Sequence, residues 1–510
     1  LYYSMNDYNR SEPLLWQVLA IRQKNLPPNH SEVAESFANL AELYRIKRDY
    51  ARAEPLFEQA LAIDRKALPH AHPDVAAILN NQAALYRDKG DYAQAERIFQ
   101  QSLSILEKTL LPDHPNIEKL LANLAESYWF KGDLSETVRI LTRSADVGES
   151  NIVRVLAAGS ETQKRLYLER LLYNTHAIMS LHLRAAPDNP DAARLALTTL
   201  LRRKGRALDA MTNQIEALRR HSVDAQVLSL LDELTTARTQ LAKLVLNSPG
   251  SIDPQEYRRQ TALLQARVER LEAEASDRSA VYRAQTQPIT LRRVQQAIPA
   301  NAALVELAVY IPADPKTKQW GSPRYVAYVL KRKGEPGFID LGEAVHIDQA
   351  ITLFSGAFAH PARGDVKSAG RALDKLIMQP IRKLLGRTTT ILLAPDGKLH
   401  TVPFNALLDE EGRYLIERYA ITYLTSGRDL LRLETSIQSR QPPLVLAGPA
   451  FDLEDKKAGE PASPANDASR GATINRYLPK LAAVARRTRR GGAREGNSER
   501  FAGAHWCASN

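Results

Sequence analysis

The sequence predicts a multidomain chain: an N-terminal all-α superhelix of stacked helical hairpins, a helical linker region, and a C-terminal α/β sheet domain that is incomplete. Three observations predict this. A gapless repeat of 42 residues fills the first part of the chain. No strand-like run occurs between 147 and 290. After about 290, apolar runs of strand length mix with a helical pattern, as in α/β sheets. The expected spans are 1–146 for the repeats, 147–290 for the connector, 291–455 for the sheet domain and 456–510 for a low-order basic tail.

Composition limits the function classes. A length of 510 residues suits two to four domains. No apolar run approaches the ~18–20 residues that span a bilayer. The first ten residues, "LYYSMNDYNR", hold no apolar signal core, although the chain begins with Leu1 rather than Met. The lone cysteine, Cys507, excludes an internal disulfide and a Cys-rich zinc site. A reducing, cytoplasmic setting is therefore expected. The net charge of +11 raises nucleic acid as a partner, but residues 486–510 alone carry six Arg against two Glu. Specific nucleic-acid binding is not expected from so uneven an excess.

The repeats start at His30, His72 and His114. The first two read "HSEVAESFANLAELYRIKRDYARAEPLFEQALAIDRKALPHA" and "HPDVAAILNNQAALYRDKGDYAQAERIFQQSLSILEKTLLPD". The third opens "HPNIEKLLANLAESYWFKGDLSETVRILTRS", and a half-repeat, "NDYNRSEPLLWQVLAIRQKNLPPN", comes before them all. Each unit reads as two helices, A and B. Leu40, Leu43 and Tyr44 have helical spacing in helix A, echoed by Leu85 with Tyr86 and Leu124 with Tyr128. Gly90 and Gly132 suit the left-handed residue that ends helix A. Asp49, Asp91 and Asp133 follow as caps of helix B. Ala53 and Ala95 are small where B approaches A. A single hairpin cannot bury its own apolar face, so neighbours stack. The recurring histidines are spread along such a stack and read as helix-start residues rather than a metal set.

This unit resembles the tetratricopeptide repeat (TPR) in the longer form of kinesin light chain, over residues 1 to about 146. The ordinary repeat has about 34 residues; the extra length falls in helix B and its loop. Arg48 departs from the turn glycine and Leu134 from the tyrosine. The resemblance implies a groove that binds extended peptides through a helix A asparagine. The matching positions are Asn39, Asn81 and Asn123. An amide offers both a donor and an acceptor for a peptide backbone; the competing reading is that these side chains only bond neighbouring helices.

In the connector, Val227, Leu231, Leu234, Leu241 and Val245 share one helix face. After the break "NSPGSIDPQ", Tyr257, Leu264, Val268 and Leu271 do the same, which predicts a helical hairpin. Arg202, Arg203, Lys204 and Arg206 read as a solvated helix face, with a nucleic-acid patch as the alternative.

Farther on, "ALVELAVY", "YVAYVL", "GFIDL" and "TTILLA" are strand candidates, and "VKSAGRALDKLIMQPIRKLL" reads as one helix. "APDGKLHTVPF" reads as a strand, a tight Pro-Asp-Gly turn and a returning strand, which gives His400 a structural role. Together with "YLIERYAITYLTS" it resembles the CHAT domain, a module related to caspases and separases, over about 291–450. That resemblance implies a His–Cys dyad closing two later strands, downstream of "PLVLAG". Neither motif follows in this chain. His505 and Cys507 are two residues apart, without flanking apolar strands, and do not make the rigidly held pair that catalysis needs. No catalytic residue is therefore assigned, and truncation or a frame shift near residue 480 is expected. Phosphate-loop, H-E-x-x-H and G-x-S-x-G patterns are missing from the sequence, so no metal or cofactor is assigned.

Two functions lead, ahead of a third, nucleic-acid binding through the basic segments. One is a peptide-binding scaffold fused to a CHAT domain without its dyad. The other is a caspase-like cysteine peptidase, regulated by its repeats, in a full-length product.

Overall fold

The computed structural model describes residues 7–433, apart from 70, 159–160, 206–224, 247–251, 280–281, 283–287, 315–318 and 360–363. The segment "PLVLAG", the basic tail, His505 and Cys507 lie outside the described residues, as does Arg206.

The repeats fold as their pattern predicts. α1 (Tyr8–Asn25) is the half-repeat; α2 (Ser31–Ile46) with α3 (Tyr50–Ala67), and α4 (Pro73–Lys89) with α5 (Tyr92–Thr109), are full hairpins. α6 (Pro115–Lys131) and the long α7 (Leu134–Ala158) form the third. Gly90 and Gly132 end their A helices at φ 86°, and Arg48 takes the same left-handed turn at φ 60°. Such a conformation strains a residue with a Cβ, so Arg48 is a sub-optimal stop. Asp49, Asp91 and Asp133 accept from the amides of Arg52, Gln94 and Glu136, capping the B helices. The repeating histidines cap the A helices: Nδ1 of His30, His72 and His114 accepts from the amides of Glu32, Asp74 and Asn116. Ala53 and Ala95 are fully buried.

A second repeating contact joins one hairpin to the next. Glu12 on α1 receives the Tyr44 hydroxyl at 2.7 Å and the Lys47 ammonium at 2.5 Å. Glu54 receives Tyr86 and Lys89 at 2.6 and 2.7 Å, and Glu96 receives Tyr128 and Lys131 at 2.8 and 3.2 Å. The lysine bond, then the tyrosine bond, holds Glu12 and Glu54 below the usual carboxylate range. Burial first, and the glutamate second, pushes Tyr86 and Tyr128 up to about 12. Helix B of one repeat thus holds helix A of the next at a set height, so the repeat spacing is built into side-chain chemistry.

The connector is helical, as expected. α8 (Glu161–Ser180) runs through a π turn at Leu181–Ala185 to α9 (Pro190–Arg203). The helices Ala225–Leu246 and Pro254–Arg278 form the predicted hairpin, with Val227, Leu231, Leu234, Leu241, Val245 and Leu271 buried together. Tyr257 from this hairpin enters the core of the repeats.

Seven strands follow in chain order among the described residues. β1 is Ala302–Tyr310, β2 and β3 are the ribbon Ala313–Asp314 and Gln319–Trp320, and β4 is Arg324–Lys331. β5 is Gly337–Glu343, β6 is Thr390–Ala394 and β7 is Ala420–Tyr423. Five of them form one mixed sheet in the order β5-β4-β1-β6-β7. β4 is antiparallel to β1 and β5, while β6 is parallel to β1 and β7. Both faces of β1 are covered, which explains why its run is apolar at every position but Glu306. Ala303, Val305 and Leu307 pack beneath helices 344–385. Leu304, Ala308 and Tyr310 pack against α9 and the π turn through Leu181, Leu197 and Leu201. The core therefore runs through residue 290, where sequence texture places the domain change: α9 is one of the sheet's covering helices.

Two local expectations are corrected. The stretch "VKSAGRALDKLIMQPIRKLL" forms two helices, Val366–Leu376 and Met378–Leu385, broken at Ile377. Pro380 has no amide proton to return to residue 376, so a continuous helix is lost there. "APDGKLHTVPF" is not strand–turn–strand. Gly397 takes the anticipated positive φ of 56°, but the chain then makes 3-10 turns at Gly397–Thr401 and Phe404–Ala406. The next strand, β7, is parallel to β6, and a parallel partner needs a crossover rather than a hairpin. His400 lies exposed on the first 3-10 turn, its Nδ1 3.2 Å from the Gly397 carbonyl of that turn.

Candidate functional site

Successive A helices pack directly on one another, α2 on α4 and α4 on α6. Ion pairs join this layer. Arg45 grips Glu42 with two bonds of 2.7 Å and reaches across to Asp88. Arg87 bonds Asp88 beside it and reaches across to Glu126. Each of these five side chains is almost wholly buried. Such a row of charges is held by fixed partners and offers little to a ligand.

Asn39, Asn81 and Asn123 stand on the same A helices. The structure joins two of them. Asn123 Nδ2 donates to Asn80 Oδ1 at 2.9 Å, crossing from α6 to α4, and Asn80 Nδ2 donates to Asn81 Oδ1 at 3.1 Å. Asn81 and Asn123 are half-buried and Asn80 is buried. Among the described residues, nothing in the chain engages Asn81 Nδ2 or Asn123 Oδ1. Asn39 is exposed and stands outside this relay. The amide of Asn123 thus bonds across to the neighbouring A helix, while Asn81 Nδ2 and Asn123 Oδ1 are not used by the chain. Asn80 itself escaped the sequence reading. Its signal is a departure from the repeat, since the equivalent positions are Ala38 and Ala122.

A second polar cluster lies where the carboxyl end of β6 pairs with the middle of β1. Glu306 on β1 is fully buried. Lys204, at the end of α9, places Nζ 2.9 Å from its Oε1 and donates to the carbonyls of Leu307 and Ala394 at 2.9 and 2.8 Å. The Gly427 amide donates to Glu306 Oε2 at 2.8 Å. Burial raises the Glu306 carboxyl; the Lys204 charge and the Gly427 amide oppose that. Arg202 bonds Asp146 and the Ile289 carbonyl, and Arg203 bonds Thr175 and the Leu171 carbonyl. These three cations are used internally, and the predicted solvated face is instead an interface between helices and sheet. Asp409, Glu410 and Glu411 bring three carboxylates together, but Arg413 and Arg382 bind them.

Comparison with known families agrees with this architecture. The model for the CHAT domain matches residues 367–493, and that for the tetratricopeptide repeat matches 1–66 and 74–150. The chain carries tetratricopeptide repeats and a CHAT domain, with helical N-terminal and mixed-sheet C-terminal regions. The CHAT match begins inside the expected 291–455 span and continues into the stretch expected to be a tail. Solved structures of kinesin light chain nearly identical TPR-like repeats from Podosopora anserina are similar to it. One, a Q17M form, is 22% identical, covers 47% of this chain and 98% of its own, and gives a TM-score of 0.27. Another is 21% identical, covers 47% and 99%, and gives 0.25. A comparison with curated proteins yields no match. Among the described residues, no helix is long and apolar enough to cross a membrane.

Proposed function

We propose that this chain is a protein-interaction scaffold that binds extended peptides along its A-helix layer, at Asn39, Asn81 and Asn123, and that its CHAT domain carries no Cys–His dyad. The repeats supply a surface for protein partners, as this repeat class does. The observation that supports the finer reading is the pair Asn81 and Asn123. They stand one repeat apart, half-buried, with the Asn81 amide nitrogen and the Asn123 amide oxygen unused by the chain. An extended backbone presents the complementary groups. The test uses a dodecapeptide library to select binders to the full chain. Asn81→Ala with Asn123→Ala is expected to weaken selected peptides about tenfold or more, with the thermal midpoint unchanged. Equal binding by the variant would overturn the reading.

For the CHAT domain, the expected result is no thiol-dependent peptide cleavage by this chain. The sequence supports this, because its nearest His–Cys pair, His505 and Cys507, is two residues apart and no apolar run of strand length flanks it in the sequence. Fluorogenic peptide hydrolysis that disappears in Cys507→Ala would show the opposite.

A further inference from the structure

Asn80 is a buried amide at a position where both sister repeats carry alanine. Ala38 is as buried as Asn80, at 7%, so nothing about the packing of an A helix calls for an amide there. A buried amide costs free energy unless its groups are bonded. Both of its bonds go to the groove asparagines, one on its own helix and one on the next.

We infer that Asn80 is a positioning residue of the peptide groove: it holds the Asn81 and Asn123 amides so that one presents a donor and the other an acceptor to a single extended peptide segment. The inference rests on the peptide-binding reading above and deepens it. A relay of three amides fixes the outcome at its ends. Each link uses one N–H and one carbonyl lone pair, so one end keeps its whole NH2 and the other its whole carbonyl. Here Asn81 keeps the donor and Asn123 keeps the acceptor. Without Asn80, each amide would be free to turn about its terminal torsion, which is broad and roughly two-fold. The first repeat shows that state: Ala38 stands beside Asn39, which is exposed and belongs to no relay.

A specificity rule follows. Asn123 Oδ1 needs a backbone N–H from the ligand. The ligand residue opposite it can have any side chain that fits, but it cannot be proline or carry an N-methyl group. Selection at this point acts on the backbone, so the partner class is an extended segment with an unsubstituted amide, rather than a segment of particular charge.

The experiment takes one dodecapeptide selected against the full chain and methylates its backbone nitrogens one at a time. In the unaltered protein, methylation at one position is expected to weaken binding about tenfold beyond the others. Asn80→Ala introduces the residue of the sister repeats, so its thermal midpoint should match the parent. It is expected to bind the parent peptide several-fold more weakly and to flatten the methylation profile. The side-chain NH2 resonances of Asn81 and Asn123 should shift in Asn80→Ala without any peptide present. An unchanged affinity and methylation profile in Asn80→Ala would overturn the positioning role, provided Asn81→Ala and Asn123→Ala still weaken binding. If those two variants also bind normally, the peptide-groove reading falls, and this inference with it.

Discussion

Lys204→Met is expected to destabilise the sheet region by about 3–5 kcal/mol, the cost of leaving a buried charge without its partner. The carboxylate concerned is Glu306, at 0% exposure in the middle strand. Lys204 is its only cation within ion-pair distance among the described residues, and the same ammonium ties the middle of β1 to the end of β6 through Leu307 and Ala394. In Lys204→Met the Glu306 carboxyl has only the Gly427 amide to favour its charged form. The loss should depend on pH with a definite sign. Burial raises the folded-state carboxyl above its ordinary value of 4.5. Stability tied to a raised carboxyl is present below the unfolded value and is lost as pH rises through the folded value. The deficit of the variant should therefore shrink toward pH 4 and grow toward pH 8. Urea unfolding at those two pH values measures it. The double variant Lys204→Met with Glu306→Leu should recover most of the loss, because an apolar pair of similar size replaces a buried ion pair at little cost. A double variant as unstable as Lys204→Met would show that packing, not the unpaired charge, is responsible.

The second large effect is on acid stability. His114 caps α6 and is 1% exposed; His182 lies in the sheet's helix-side core, its Nδ1 2.9 Å from the Tyr328 hydroxyl. Burial lowers each of them to about 4, with Arg154 adding to the effect at His114. An unfolded histidine titrates near 6.5. Above that value both states are neutral and the two groups contribute no pH dependence. As pH falls from 6.5 to 4, the unfolded chain takes up protons that the folded chain refuses. Stability should fall by about 1.4 kcal/mol per pH unit for each histidine. Asp64 acts in the opposite sense. Burial first, then Asp74 and Glu35, raises it to about 7, so its contribution is lost as pH rises from 3.8 to 7. Single variants separate these terms. His114→Asn keeps a capping side chain and His182→Gln keeps a polar one, and each should flatten the profile between pH 6.5 and 4. Unfolding profiles parallel to that of the parent would refute the assignment.

The repeats were almost wholly legible, and the reason is local. Gly90, Asp91, Ala95 and Tyr86 act through their own turn or the adjacent helix, and the 42-residue spacing presents each of them three times or nearly so. The connector hairpin was legible for the same reason: Leu231, Leu234 and Leu241 lie on one face of one helix. Strand positions followed from apolar runs, but strand order did not. β1 meets β6 more than 70 residues later, across a crossover of helices. The 3-10 turns after Gly397 were missed because a Pro-Asp-Gly turn is equally at home in a hairpin.

The candidate site divides in the same way. Asn39, Asn81 and Asn123 are placed at equivalent positions by register alone. Asn80 was visible only as a mismatch with Ala38 and Ala122, and its meaning needed α6 beside α4. Lys204 shows the difference most plainly. In sequence it belongs to a run of cations and reads as surface. In the fold its ammonium meets a carboxylate 102 positions away and a carbonyl 190 positions away. Periodicity and capping are written within one or two turns of chain, so residues 7–146 and the strand segments could be read directly. The partner of a buried charge or amide is chosen by desolvation after distant segments have packed, and no pattern within a single helix or strand encodes it.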